Sequence, residues 1–281
     1  MFSHARLLFP LTVEKYRDPH LLFVIKGLFR QSFDDALRSR PDPFALRLFF
    51  GQELASDPSA LRRFQKPPLP FAFQIPLLAA DRRNPVHAAL SMSLAGSALN
   101  HVPTVIAAVR TSLERIATSA SARLVAGKCR SLGEDGTHVP LSDDGEGLVV
   151  LEETPYRPPG DLVTIALTSP LQITSGGRTL REPAFSEIIR PLMRRVSSLA
   201  YYYAGLELSH DFRWLSEISR QVETVEATLT ISGNPALGRG VTGEITFAGV
   251  AEEFIPFLFM GERFNLGKGA AYGGGSFTIN K

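Results

Sequence analysis

The chain has 281 residues, enough for one large domain or two of ordinary size. Hydrophobic residues at 44% and charged residues at 21% are usual for a globular protein, and a net charge of +2 is too small to imply a nucleic-acid partner unless basic side chains cluster locally. Cys129 is the single cysteine, which excludes an internal disulfide and a cysteine-cluster metal site. The six histidines are scattered without ligand spacing, so no metal and no cofactor are expected, and a reducing cytoplasm is the default location. Arg6 and Pro10 interrupt the apolar N-terminus, which does not read as a signal peptide. The apolar run Phe254 to Met260, broken by Pro256, is far short of a membrane span.

In chain order, Arg6 to Val13 alternates as a strand, with Leu7, Phe9, Leu11 and Val13 on one face. Gly27 to Arg40 carries Leu28, Phe33, Ala36 and Leu37 at helical spacing. Phe71 to Leu77 and Ala88 to Ala95 read as strands. Val102 to Ala117 is an amphipathic helix with Val105, Ile106, Val109, Leu113 and Ile116 on one stripe, and Arg123 to Cys129 is a short strand. The order β-α-β-β-α-β is the ferredoxin-like signature. A stretch rich in Gly, Asp and Pro, Gly133 to Gly160, then reads as a linker or exposed hairpin, with a short strand at Leu148 to Leu151 as an option.

The element order repeats after it. Leu162 to Thr168 is a strand, and Pro183 to Tyr203 is a long helix with proline in its first turn. Val222 to Ile231 and Val241 to Phe247 are strands, Glu252 to Phe259 a short helix, and Ser276 to Ile279 the last strand. The predicted class is α+β: tandem ferredoxin-like domains at 1–140 and 161–281, a linker at 141–160, and a C-terminal glycine-rich loop.

That loop, Gly267 to Gly275, has five glycines in nine positions. Such a backbone can approach a ligand closely, consecutive amides can form an anion-binding concavity, and Lys268 adds a mobile charge. A mononucleotide P-loop is excluded: Gly261 stands one residue too far from Gly267, and Gly269 occupies the hydroxyl position. A dinucleotide fingerprint would need glycine at Tyr272, and either fold would need most of a domain after the loop. A polymer's phosphates crossing a sheet edge fit what remains, as does a tight connection before the last strand.

Together these motifs resemble the CRISPR-associated endoribonucleases that cleave precursor CRISPR RNA within its repeats, the Cas-six proteins of the repeat-associated RNA-binding (RAMP) class. Gly267-Lys268-Gly269 with Gly273-Gly274-Gly275 resembles the hallmark loop. Pro43-Phe44, Pro70-Phe71 and Gly96 resemble early landmarks, and Thr168-Ser169-Pro170-Leu171 the Thr-Pro-Leu turn. Arg194-Arg195-Val196-Ser197-Ser198-Leu199 resembles the Arg-Arg-x-x-x-Leu helix, and Gly243 to Gly249 the Gly-x-Ile-x-Phe-x-Gly strand. The resemblance implies RNA bound across two ferredoxin-like domains. It also implies metal-free cleavage by the 2′-hydroxyl to a 2′,3′-cyclic phosphate and a 5′-hydroxyl, and docking with other CRISPR effector subunits.

Members commonly place a catalytic histidine in the first domain, near its first helix, yet no histidine lies between Lys26 and Val86. His20 is the nearest, and it is either a proton shuttle or an exposed loop residue. Arg30 stands where some relatives place a catalytic tyrosine, and Arg38 and Arg40 close the same helix. Arginine is a poor base and a good clamp for phosphorane charge, a pattern that resembles the type IV branch of these enzymes. The catalytic candidates are therefore Arg30, Arg38 and His20. For RNA binding the candidates are Gly267, Lys268, Gly269, Gly273 and Gly275 in the loop, Arg190, Arg194 and Arg195 on the long helix, Arg178 beside Gly176-Gly177, and Arg239. A non-catalytic RNA-binding subunit with the same fold is the alternative.

Overall fold

The computed structural model describes residues 1–53, 66–79, 85–133, 135–152 and 162–280. The first domain runs β1 (His4–Glu14), α1 (Ile25–Ser39), α2 (Ala45–Phe50), β2 (Phe71–Gln74), β3 (Val86–Ala95), α3 (Val102–Ala120), β4 (Arg123–Ala126), β5 (Arg130–Leu132) and β6 (His138–Pro140). Its antiparallel sheet is ordered β2-β3-β1-β5-β6, with β4 also paired to β1. The period-two pattern of β1 sets its register: Leu7 faces Met92 and Phe9 faces Leu90, all buried on the helix-covered side. Every apolar residue of the predicted α3 stripe is buried, and α3 packs beside α1 over that sheet.

The second domain repeats the plan. It comprises β7 (Leu162–Leu171), β8 (Thr174–Ser175), β9 (Arg178–Thr179), α4 (Phe185–Ala204), α5 (Phe212–Ile218), β10 (Glu223–Asn234), β11 (Gly238–Ala248), α6 (Ile255–Phe264) and β12 (Phe277–Asn280). Its four strands are ordered β10-β11-β7-β12, all neighbours antiparallel. This is the ferredoxin-like order in both halves, with strands one and three at the centre of each sheet. The tandem α+β reading holds.

Several boundaries moved. The predicted strand at Arg123 to Cys129 is shorter, β4 ending at Ala126, and the separate β5 follows at Arg130. Helix α4 starts at Phe185, two residues after Pro183, where the Glu187 carboxylate accepts the Ala184 amide as an N-terminal cap at 2.9 Å. The predicted helix at Glu252 to Phe259 continues to Phe264. Within the predicted linker, Leu141 packs into the first core and Leu151 makes a single bridge to His4, while 153–160 lie outside the described residues. Helix α2 was not predicted. Asp211 caps α5 by accepting the amides of Arg213 and Trp214. No helix among the described residues is long and apolar enough to cross a membrane.

Candidate nucleic-acid interface

The glycine-rich loop joins α6 to β12 and is bound to both domains. Buried Asn265 ends α6 with φ +56° and donates to the Phe73 carbonyl of β2 at 2.7 Å and to Ala270 at 2.8 Å. From β7, Ser169 Oγ donates to the Gly273 carbonyl at 2.6 Å and accepts the Ser276 amide at 2.8 Å. Pro170 accepts the Gly275 amide, and Gln172 accepts that of Lys268. The Thr-Ser-Pro-Leu turn is thus the cradle of the loop.

This alters the expected anion concavity. The amides of Lys268, Tyr272, Gly273, Gly274 and Gly275 are all bonded to main-chain carbonyls and hold the loop's own shape. Its glycines allow close backbone packing: a Cβ at Gly275, where φ is +57°, would lie 1.9 Å from the Leu266 carbonyl, and one at Gly267 2.6 Å from that of Gln172. What the loop turns outward is the exposed side chain of Lys268.

The first domain's basic side chains nearest this loop are carried by the start of α1. Ile25, Phe29 and Phe33 bury one side of this helix, so Lys26 and Arg30, four residues apart, share its exposed face. Arg30 lies over the Phe50 ring at 5.5 Å. Burial pushes the Tyr272 phenol up to about 12, and the Arg30 charge opposes that shift. The Tyr272 ring itself packs against Phe71 and Phe73. Lys26 Nζ donates to the Ala236 carbonyl at 2.5 Å, and the His20 ring meets the Asn234 amide at 3.0 Å. The β10–β11 hairpin tip of the second domain is therefore seated on the first. Gln172 connects that tip to the loop, since its side chain donates to Leu237 and its carbonyl accepts from Lys268.

His20, Lys26, Arg30, Lys268 and the hairpin carrying exposed Arg239 thus form one basic, two-domain surface. None of Lys26, Arg30, Arg239 and Lys268 is ion-paired among the described residues. Lys26 was not predicted. Its only sequence signal is its position one helical turn before Arg30, because the contact with Ala236 spans 210 residues.

The other predicted residues stand apart from this cluster. Arg38 lies eight residues, about 12 Å, beyond Arg30 along α1 and pairs with Asp34 and Asp35. Arg190 and Arg194 are on the exposed side of α4 opposite buried Ile188, Leu192 and Val196, and Arg178 is on the exposed β8–β9 hairpin. No hydrogen bond or ion pair joins these side chains to the cluster among the described residues. Arg195 differs from its neighbour. Its guanidinium turns inward, donates to the Phe264 carbonyl at 2.9 Å and is lowered to about 10 by burial, so it ties α4 to α6.

Residues 165–277 match the model of the family described as CRISPR-associated endoribonuclease Cas6. No curated protein matches the sequence. Among solved structures, the whole chain aligns with 99% of Thermus thermophilus Cas6 at 14% identity and a TM-score of 0.55. It aligns with all of the protein in a Cas6 product complex at 15% identity and a TM-score of 0.58. Against a partial Cas6-RT-Cas1–Cas2 complex the TM-score is 0.62 at 11% identity, and this chain spans 46% of that chain's length. In the fuller complex of the same name it spans 29%. These likenesses show the shared fold along the whole chain, and the family model places the same resemblance in the sequence of the second domain.

Proposed function

We propose that this Cas6-like chain is an endoribonuclease that cleaves precursor CRISPR RNA within its repeats, without a metal, and retains the mature product. The observation that carries the reading is the set of Lys26, Arg30 and Lys268, from two domains and none ion-paired among the described residues, around the loop matched by the family model. In the proposed reaction the 2′-hydroxyl oxygen attacks the adjacent phosphorus and loses its proton to solvent. A pentacoordinate phosphorane forms, the bond to the 5′-oxygen breaks, and that oxygen takes up a proton. The products are a 2′,3′-cyclic phosphate and a 5′-hydroxyl, and no water is consumed.

Charge builds on the phosphorane oxygens, and donors preorganised there lower the barrier most. Arg30, held against Phe50, supplies a planar two-pronged donor to those oxygens. Lys26 and Lys268 add charge from either side, and His20 contacts the RNA from the loop before α1. Arg38 acts only through its more distant charge. Arg239, Arg178, Arg190 and Arg194 extend the basic surface for the flanking strand. A site built this way accelerates by electrostatics and resembles the type IV branch. Other CRISPR effector subunits are the proposed protein partners.

A second reading, a subunit that holds CRISPR RNA without cutting it, is favoured by one observation: no histidine lies between Lys26 and Val86 to act as base. End-labelled precursor containing two repeats separates the readings. Cleavage once per repeat, leaving a 5′-hydroxyl and a cyclic phosphate, supports the nuclease. Tight binding of intact RNA supports the second reading, and 5′-phosphate ends would overturn the mechanism.

A further inference from the structure

The contact between His20 and Asn234 joins the two domains, and it sets which ring nitrogen of His20 carries the proton. Asn234 is 4% exposed and ends β10 at the hairpin tip. Its Oδ1 accepts two main-chain amides, Ala236 at 2.9 Å and Leu237 at 3.1 Å. Those two bonds assign the amide orientation, because the opposite flip would set the NH2 group against two N–H donors. The Nδ2 group is thereby turned to His20 Nδ1 at 3.0 Å. A donor facing the ring requires an acceptor in return, so Nδ1 carries the lone pair and the proton resides on Nε2.

We propose that Asn234 locks His20 as the Nε2–H tautomer, so that His20 gives the RNA a hydrogen-bond donor, for a phosphate oxygen, and does not take the proton of the 2′-hydroxyl. The remaining contacts hold the ring in place. The Asp18 carboxylate accepts the His20 amide at 2.8 Å, Phe23 packs at 6.0 Å from the ring, and Lys26 fixes the far side of the hairpin tip through Ala236. With Nδ1 engaged, Nε2 is the only ring nitrogen left for a ligand, and it already bears a hydrogen. Asn234 is thus a positioning residue, reading the fold of the second domain into the chemistry of the first. The donor role rests on the RNA-binding reading above, whereas the tautomer is a property of the free protein.

Two measurements on the full chain test this independently of cleavage. In 15N-labelled free protein at about pH 8, where an ordinary imidazole is neutral, His20 should show a pyridine-type Nδ1 and a pyrrole-type Nε2. Asn234→Asp should reverse that pattern, because a carboxylate accepts from Nδ1–H. A pyridine-type Nε2 in the unsubstituted protein would overturn the lock. For the role, affinity is measured on repeat RNA carrying a 2′-deoxy sugar at the cut site, which cannot be cleaved. Loss of one donor to a charged phosphate should weaken binding by roughly tenfold or more in His20→Ala. His20→Gln, whose Nε2 amide reaches the position of the imidazole Nε2 and cannot shuttle protons, should restore most of that loss. Equal weakness of the two variants would overturn the donor role. Absence of any RNA affinity in the unsubstituted protein would instead sink the functional reading and leave the tautomer measurement intact.

Discussion

The glycine-rich loop and the exposed face of α1 meet at the same surface, yet they are built on opposite principles. The loop is specified by geometry: Asn265, Ser169 and Gln172 fix its path, and most of its amides are spent on its own shape. The α1 face is specified by charge and reach, through Lys26 and Arg30 on a helix whose other side is core. A residue needed for geometry has few substitutes, so the loop has a recognisable spelling. A residue needed for its charge and reach can be exchanged, so the α1 face carries no comparable spelling.

That contrast can be broken most severely in the loop. Gly275→Ala should destabilise the protein by more than about 3 kcal/mol in denaturant titrations, since its Cβ would run into the Leu266 carbonyl at a left-handed backbone position. A change below about 1 kcal/mol would show that the loop is not geometrically fixed. Arg30→Ala should leave stability nearly unchanged while lowering the single-turnover cleavage rate by about 100-fold to 1000-fold, the range for losing one preorganised donor. A loss confined to affinity would move Arg30 from the phosphorane to the flanking strand.

A pH effect sharpens the comparison from the structural side. His4 at the start of β1 donates from Nδ1 to the Phe2 carbonyl, its Nε2 is buried without a hydrogen-bond partner among the described residues, and burial lowers it from 6.5 to about 4. Between those values the unfolded chain takes up a proton that the folded chain refuses. Its stabilising contribution is therefore complete above about pH 6.5 and is lost as pH falls towards 4, by about 3 kcal/mol. His4→Gln should flatten that slope in pH-dependent unfolding, and an unchanged slope would assign it elsewhere. Smaller effects belong to the charged surface. Lys268→Ala should weaken RNA binding across sequences and reduce the slope of log affinity against log salt by about 1. Arg38→Ala, paired and exposed, should alter cleavage by less than about twofold. A loss as large as that of Arg30→Ala would bring Arg38 into the site.

The fold was legible where periodicity is local. The alternation in β1 and the stripe on α3 each mark a buried face within a single element, and two rounds of the same element order point to the tandem sheets. Helix α2 was not legible because, only six residues long and with all but Arg47 apolar, it shows no period that marks its buried pair Ala45 and Phe49. At the site, Arg30, His20 and Lys268 were readable as residue types near a glycine-rich loop. The contacts that join them were not, because Lys26 to Ala236 and His20 to Asn234 are separated by more than 200 residues in sequence. Adjacency in sequence also misled at Arg195, which shares a motif with exposed Arg194 but turns inward to Phe264.

The measurement that bears most directly on the central claim pairs two repeat RNAs in chelator, one unmodified and one with a single 2′-deoxy sugar at the mapped cut site. Attack by the 2′-hydroxyl predicts cleavage of the first in EDTA and complete protection of the second, with both bound equally. Cleavage of the deoxy RNA, or loss of all cleavage in EDTA with activity restored by a divalent cation, would contradict it.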